Sequence, residues 1–279
     1  MKENSVKYLL VLLLVCLVVF LIVVLILLLR QDTHSFSLFH FGGETKMILE
    51  EEYNTESIDK IVVDTSVWDI KFLPSEDKKV KVVIQGEEKD KATSTLEGNT
   101  LTISAQKKNR ICFGFCFFGK EEMLVYLPKK DVKEVDLKTI SGDIRLQTSL
   151  DANIKAKTTS GDVSFQNAGH VDIHTTSGDI KIGQVKNASL VSVSGEIEAD
   201  TINGKMNVTT TSGDIEINYA ECTENAEIKS VSGDVKIIKT NNVYIETKSV
   251  SGESDIGNNN RSALYTLTIK TTSGDIKVN

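Results

Sequence analysis

The tripeptide Ser-Gly-Asp/Glu occurs eight times in this 279-residue chain, and it joins a hydroxyl to a carboxylate, two groups that often do chemistry. Its serines run from Ser141 to Ser273, its glycines are Gly142, Gly161, Gly178, Gly195, Gly213, Gly233, Gly252 and Gly274, and an acid follows each. A nucleophilic serine needs a base within hydrogen-bond reach and an oxyanion site. Only His34, His40, His170 and His174 are present as imidazole bases, and the first two lie close to an apolar N-terminal run. Eight equivalent serines without such a partner read as structural residues facing a core, so no catalytic residue and no cofactor are expected.

The acids form a column of their own: Asp143, Asp162, Asp179, Glu196, Asp214, Asp234, Glu253 and Asp275. Stacked about 5 Å apart, like charges repel unless they are bonded or neutralised. Two residues further on stand Arg145, Lys181, Lys236 and Lys277 in four copies, but Glu198 and Glu216 in two others. Glu196, Glu198, Asp214 and Glu216 therefore make the best candidate patch for a divalent cation, since hard oxygen ligands suit Ca²⁺. The Gly-Gly-x-Gly-x-Asp period of Ca²⁺-binding β-rolls is absent, so the plainer expectation is a row of turn-stabilising acids on a solvated face, with no metal site assigned.

Three residues before five of the repeat serines stand Lys138, Lys157, Lys229, Lys248 and Lys270. They edge a column of β-branched residues, among them Ile140, Thr159, Val193 and Val231. Such a stripe could contact an anionic cell-wall polymer such as teichoic acid, although strand propensity alone also explains it. A third candidate is the aromatic run with Phe113, Phe115, Phe117 and Phe118 around Cys112 and Cys116. No second ligand pair makes those cysteines a zinc site; they are a short-loop disulfide if external, or small hydrophobes if reduced. Phe36, Phe39 and Phe41 lie nearer the N-terminus. The two aromatic groups are expected either to meet near a membrane surface and dock another membrane protein, or to form a buried cap.

The elements that position these residues follow from periodicity. Around each glycine the pattern runs apolar-x-apolar-x-Thr/Ser-x-Ser-Gly-Asp-apolar-x-apolar, as in Val171 to Ile182. A period of two on both sides of a turn is strand, turn, strand. Such a unit cannot bury its own apolar face, but units stacked at about 4.8 Å share a continuous core. The expectation is an all-β fold: a β-solenoid of coils of about 17–22 residues, read from the spacing of the glycines. Thr139, Thr158, Thr175, Ser192, Thr210, Ser230, Ser249 and Thr271 share the apolar parity, so buried hydroxyls are expected to bond one another along the stack. A degenerate copy spans Ile61 to Phe72, with further strands expected at Lys79–Ile84, Thr100–Ser104 and Glu122–Leu127. The last coil, around Gly274, is expected to expose an unpaired edge through which copies could associate.

The uncharged segment from Tyr8 to Leu29 is 22 residues, enough for a helix across roughly 30 Å of hydrocarbon. It lacks the short core and small-residue cleavage site of a signal peptide, so a single N-terminal transmembrane helix is expected. Lys2 and Lys7 precede it and put the N-terminus in the cytoplasm and the C-terminal part outside. The chain then divides into a cytoplasmic 1–7, a span 8–29 in the lipid bilayer, a juxtamembrane linker 30–52, an irregular β entry or cap 53–128, and the solenoid 129–279. Residues 31–279 carry 29 basic and 38 acidic side chains, which argues against nucleic acid as a partner and against lying flat on anionic lipid.

Behind one apolar N-terminal run, the repeated Thr-Ser-Gly-Asp-Ile units resemble the bacterial putative-adhesin family of β-strand repeat domains. Members of that family also occur among Lia-type cell-envelope stress membrane proteins. The resemblance covers roughly residues 55–279 and implies an envelope binding or scaffold protein, with no catalytic residues to carry over. A polysaccharide-acting β-helix enzyme and a self-assembling surface rod are the alternatives. Acids with Arg or Lys in one groove would favour the enzyme, and an even, shallow surface would not.

Overall fold

The computed structural model describes residues 39–41, 45–108, 115–117, 121–129, 132–241, 243–257 and 259–279. The expected transmembrane helix at 8–29 lies outside them. Among the described residues no helix is long and apolar enough to cross a membrane. The chain divides into two compact units, residues 1–43 with 109–118, and residues 44–108 with 119–279.

In the larger unit each repeat makes one coil, and the coils are numbered 1 to 8 by their glycines in chain order. From coil 1 to coil 6, the strand before each glycine pairs in parallel with its equivalent in the next coil, and so does the strand after it. Glu134–Lys138 of coil 1 pairs with Leu150–Lys157 of coil 2, and Ile144–Leu146 pairs with Val163–Thr175. One continuous core results, with Leu137, Ile144, Phe165, Ile173, Ile180, Val208 and Ile228 all at 0–1% exposure. The degenerate copy is a true coil: Lys60–Thr65 and Asp69–Ser75 pair in parallel with the two strands of coil 1. Outside it lie Thr100–Gln106 and Glu122–Pro128, which complete a further parallel layer. Antiparallel strands then close this end, with Lys91–Glu97 on Thr100–Gln106 and Lys79–Gly86 on Glu122–Pro128. The strand Lys46–Asn54 pairs with Lys79–Gly86, so part of the expected linker is cap.

Three ladders run along the stack. At the corner, a β-carbon on Gly161, Gly178 or Gly195 would lie 1.9–2.1 Å from the carbonyl oxygen of the preceding coil's glycine. Glycine is needed there for close approach of backbones, not for turn conformation. The buried hydroxyls do not bond one another as expected. Thr158, Thr175, Ser192 and Thr210 donate to the glycine carbonyl one coil back, at 3.4–3.5 Å. That carbonyl is the nearest orphan acceptor in the corner, and it wins over a neighbouring hydroxyl. In the third ladder each aspartate accepts the backbone N–H of the next coil's acid: Asp162 on Asp143, Asp179 on Asp162 and Glu196 on Asp179, all at 2.9 Å.

The repeat serines face solvent, contrary to the core-facing expectation: every one from Ser141 to Ser273 is exposed. The chain turns at Ser-Gly, and the turn breaks the strand parity that placed them inside.

The last two coils stack out of chain order. Thr266–Ser273 of coil 8 pairs with Ala226–Ser232 of coil 6 on one side and with Tyr244–Ser251 of coil 7 on the other. Ile276–Val278 is likewise held between Val235–Thr240 and Ser254–Ile256. The C-terminal coil is therefore an insert with neighbours on both sides, and coil 7 is the end of the stack. The physical reason is in the side chains. In register, coil 8 offers Leu267, Ile269, Thr271, Ile276 and Val278 to the core where coil 7 offers Ile245, Thr247, Ser249, Ser254 and Ile256. The more apolar coil is buried on both sides and the more polar one caps it, as terminal repeats do.

Candidate binding groove

After the inward pair that follows each repeat acid, the parallel ladder skips one residue, at 166, 183, 200 and 218 in coils 2 to 5. Gln166, Gly183, Asp200 and Asn218 occupy these positions. The strands bend here, and a β-carbon on Gly183 would come within 1.9 Å of the Gln166 carbonyl oxygen. The bend hollows a groove of about 520 Å³ across four coils, lined on its polar side by Ser164, Gln166, Lys181, Glu198, Asp200, Glu216 and Asn218.

Of its three carboxylates, Glu198 and Glu216 are ion-paired and Asp200 is held by an amide. Lys181 Nζ meets Glu198 at 3.0 Å, and Glu216 is engaged by Lys236 at 2.8 Å. The Glu198 carboxylate holds the Lys181 ammonium above its ordinary pKa by hydrogen bond and charge. Asn218 Nδ2 donates to Asp200 Oδ1 at 2.8 Å. Half-exposed ion pairs of this kind contribute about 0–1 kcal/mol each, so a ligand can replace them at little cost. The groove presents hydrogen-bonding heads at a spacing of about 4.8 Å, which suits an elongated polar chain lying across the coils.

Of the four-carboxylate patch, only Glu198 and Glu216 line the groove; Glu196 and Asp214 belong to the corner ladder. Among the described residues no three His, Cys, Asp or Glu side chains could hold a metal ion. Glu196 is the flaw in the corner ladder. Being one methylene longer than aspartate, it takes no hydrogen bond from the Asp214 amide among the described residues, whereas Asp214 itself accepts from Asp234 at 2.8 Å. Burial, with Glu198, Asp179 and Asp214 nearby, raises the Glu196 pKa above 4.5. A carboxyl raised in the folded state contributes stability below its unfolded pKa and loses it as pH rises through the folded value. Glu196→Gln is therefore expected to raise the urea midpoint at pH 7 and leave it unchanged at pH 4, which paired denaturation curves would check.

The lysine column is not one stripe. In stacking order it reads Lys138, Lys157, His174, Val191, Thr209, Lys229, Lys270, Lys248, so uncharged and aromatic nitrogen groups divide it into two clusters. Lys229 and Lys270 both bind Glu227, at 2.7 and 3.0 Å, and their hydrogen bonds hold that carboxyl below its ordinary pKa. The β-branched column beside it is exposed, with Ile140 at 54%, Val231 at 50% and Val250 at 76%. In the smaller unit, Phe39–Phe41 pairs in parallel with Phe115–Phe117, matching Phe39 to Phe115 and Phe41 to Phe117 along the backbone. Phe113, Phe118 and Cys112 lie outside the described residues.

The groove was not anticipated. Its signal is a polar residue or glycine four positions after the repeat acid, at Gln166, Gly183, Asp200 and Asn218, where the period of two fails.

A stack of this kind defines an all-β repeat domain, and the comparisons agree. Residues 58–279 match the family model described as Toastrack DUF4097, and the chain belongs to that family. A putative adhesin from Bacteroides fragilis is similar at 19% identity and TM-score 0.52, over 83% of this chain and 96% of its own. A putative lipid binding protein from Parabacteroides distasonis has 20% identity and TM-score 0.48, over 85% and 98%. A putative adhesin from the same organism has 12% identity and TM-score 0.47, over 86% and 99%. The first likeness shows the fold alone. No curated protein matches the chain.

Proposed function

We propose that this chain is a non-enzymatic binding and scaffold protein of the bacterial cell envelope, anchored through residues 8–29 with the coil stack outside. The groove across coils 2 to 5 carries the reading: a backbone-locked surface with polar groups repeated at coil spacing is suited to hold a linear polar polymer. Its surplus of carboxylates favours an uncharged cell-wall glycan over an anionic one. The Lia-type resemblance supports a role in the envelope-stress response, in which the stack would report or organise wall material near the membrane. Among the described residues the exposed serines have no histidine partner, and the adjoining aspartates are occupied by backbone amides, which supports binding without turnover.

Retention of the full chain, in detergent, on purified cell wall with and without teichoic acid tests this. Retention that survives high salt and falls about tenfold in Asp200→Ala/Asn218→Ala, a loss of roughly 1.4 kcal/mol, is the expected result. Salt-sensitive retention that needs teichoic acid and is lost in Lys248→Glu/Lys270→Glu would move the site to the distal lysine cluster and overturn the groove.

One observation favours a second reading. Glu198, Asp200, Glu216 and Lys181 share a groove, the arrangement that a polysaccharide-acting enzyme would use. Release of new reducing ends from cell wall by the full chain, abolished in Glu216→Gln, would establish it.

A further inference from the structure

Coil 8 occupies a slot between coils 6 and 7, and residues 257–265 connect it to coil 7. We propose that this slot also takes the C-terminal coil of a second copy, and that reciprocal insertion joins two chains as a twofold dimer at the tip of the coil stack.

The slot selects its occupant by features that a second copy reproduces in full. The Thr266 amide donates to Asn225 at 3.0 Å, and the Asp275 amide to Asp234 at 2.8 Å. Lys270 pairs with Glu227 of coil 6 at 3.0 Å. On the other side Asp275 accepts the Glu253 amide at 2.8 Å. Glu253 itself stands where no further coil follows, so the glutamate that would weaken an interior joint costs nothing at the end.

Two features make the insert exchangeable. The first is the connector. Between strands Ile197–Asn203 and Met206–Ser212 the chain needs only two residues to reach the next coil. Between Ser254–Ile256 and Thr266–Ser273 it has nine, with Leu264 at 82% exposure. Nine extended residues span about 30 Å, roughly six coil spacings, enough to carry coil 8 clear of its own stack. The second is the joint beneath the insert. Thr271 donates to Gly274 of its own coil at 3.2 Å, where earlier hydroxyls reach back to the preceding coil. The hydroxyl ladder is thus missing between the insert and coil 6, although Ser249 of coil 7 donates to the insert's Gly274 carbonyl at 3.4 Å. Swapping an identical element makes every contact of the closed form again and changes only the hinge, which is why it is a low-cost route to dimers.

The test uses full-length chains with Cys16, Cys112 and Cys116 changed to Ser and the buried Cys222 changed to Ala. One chain carries Ser232→Cys and the other Ser273→Cys, positions that are register partners across the joint between coils 6 and 8. The two are mixed, warmed to the foot of the unfolding transition, cooled and oxidised. Neither chain can close a disulfide on itself, so a linked heterodimer that grows with concentration, above a control mix of Ser273→Cys with Glu97→Cys, is the expected result. A heterodimer no more abundant than the control, while a doubly substituted chain links internally at every concentration, would overturn the proposal. So would a doubly substituted chain that fails to link internally, because coil 8 is then not in the slot.

Discussion

Gly178→Ala is expected to cost on the order of 3 kcal/mol or more and to leave the chain unfolded at physiological temperature. The new β-carbon would fall 2.1 Å from the Gly161 carbonyl oxygen, which is backbone and is fixed by the coils on either side. Overpacking a close-packed core costs about 1–3 kcal/mol when side chains can yield, and here none can. The corner must open, and with it go the Ser192 hydroxyl bond to the Gly178 carbonyl and the Asp179 amide bond to Asp162. Gly98→Ala provides the contrast. Gly98 has a positive φ of 56° but nothing within 4 Å of the added carbon. Its cost is backbone strain alone, about 1–2 kcal/mol. Urea denaturation of both variants separates close approach from conformational strain. Equal costs would mean that the corner glycines serve turn geometry after all.

The second large effect distinguishes the insert from the cap. Ile269 is fully buried in coil 8 and Ile276 is 1% exposed. Ile269→Ala is expected to cost about 2–5 kcal/mol, the usual range for removing that much side chain from a core that cannot collapse. Thr247 holds the equivalent position in coil 7 and pairs with Ile269 in register. Thr247→Ala is expected to cost less than about 1 kcal/mol, since only one side of it meets a neighbouring coil. Thermal unfolding of the two variants checks the ratio. A stack in chain order would reverse it, placing coil 7 in the interior and coil 8 at the end.

The period of two around each glycine and the invariant hydroxyl two residues before each serine were enough to read the coil, its inward set and the stack. The degenerate copy at Ile61 to Phe72 was legible because its offsets persist after Val67-Trp68 replaces Ser-Gly. The strands at Lys79, Thr100 and Glu122 were legible too. Four things were not. The facing of the repeat serines depends on a turn, and strand parity does not carry across a turn. The hydroxyl partners depend on which orphan carbonyl the corner leaves open, and that follows only from the 4.8 Å approach of two glycines. The order of the last coils depends on a comparison between repeats, Thr247 and Ser254 against Ile269 and Ile276, that no single repeat displays. The groove escaped for a related reason: Gln166, Gly183, Asp200 and Asn218 are unremarkable one at a time and form a column only once the ladder is seen to skip them.

The binding reading depends on the backbone lock. Because the hydroxyls of coils 2 to 5 each bond the preceding coil's glycine carbonyl, and the corner acids hold the next coil's amide except at Glu196, the groove residues are held on a rigid support, and a polar ligand does not have to order them on binding. The corner acids, expected as turn-stabilising residues on a solvated face, form part of that lock, since Asp143, Asp162 and Asp179 each hold the next coil's amide.

Disulfide trapping within the full chain, with Cys16, Cys112 and Cys116 changed to Ser and Cys222 to Ala, tests the coil order most directly. Ser232 and Ser273 are register partners, as are Ser273 and Ser251. Neighbouring strands lie about 4.8 Å apart, within disulfide reach, whereas strands two coils apart are separated by roughly 9.6 Å and are not. Ser232→Cys/Ser273→Cys is expected to oxidise rapidly to an internal disulfide, and Ser232→Cys/Ser251→Cys to remain reduced under the same conditions. Rapid closure of the second pair, with none of the first, would contradict the inserted C-terminal coil.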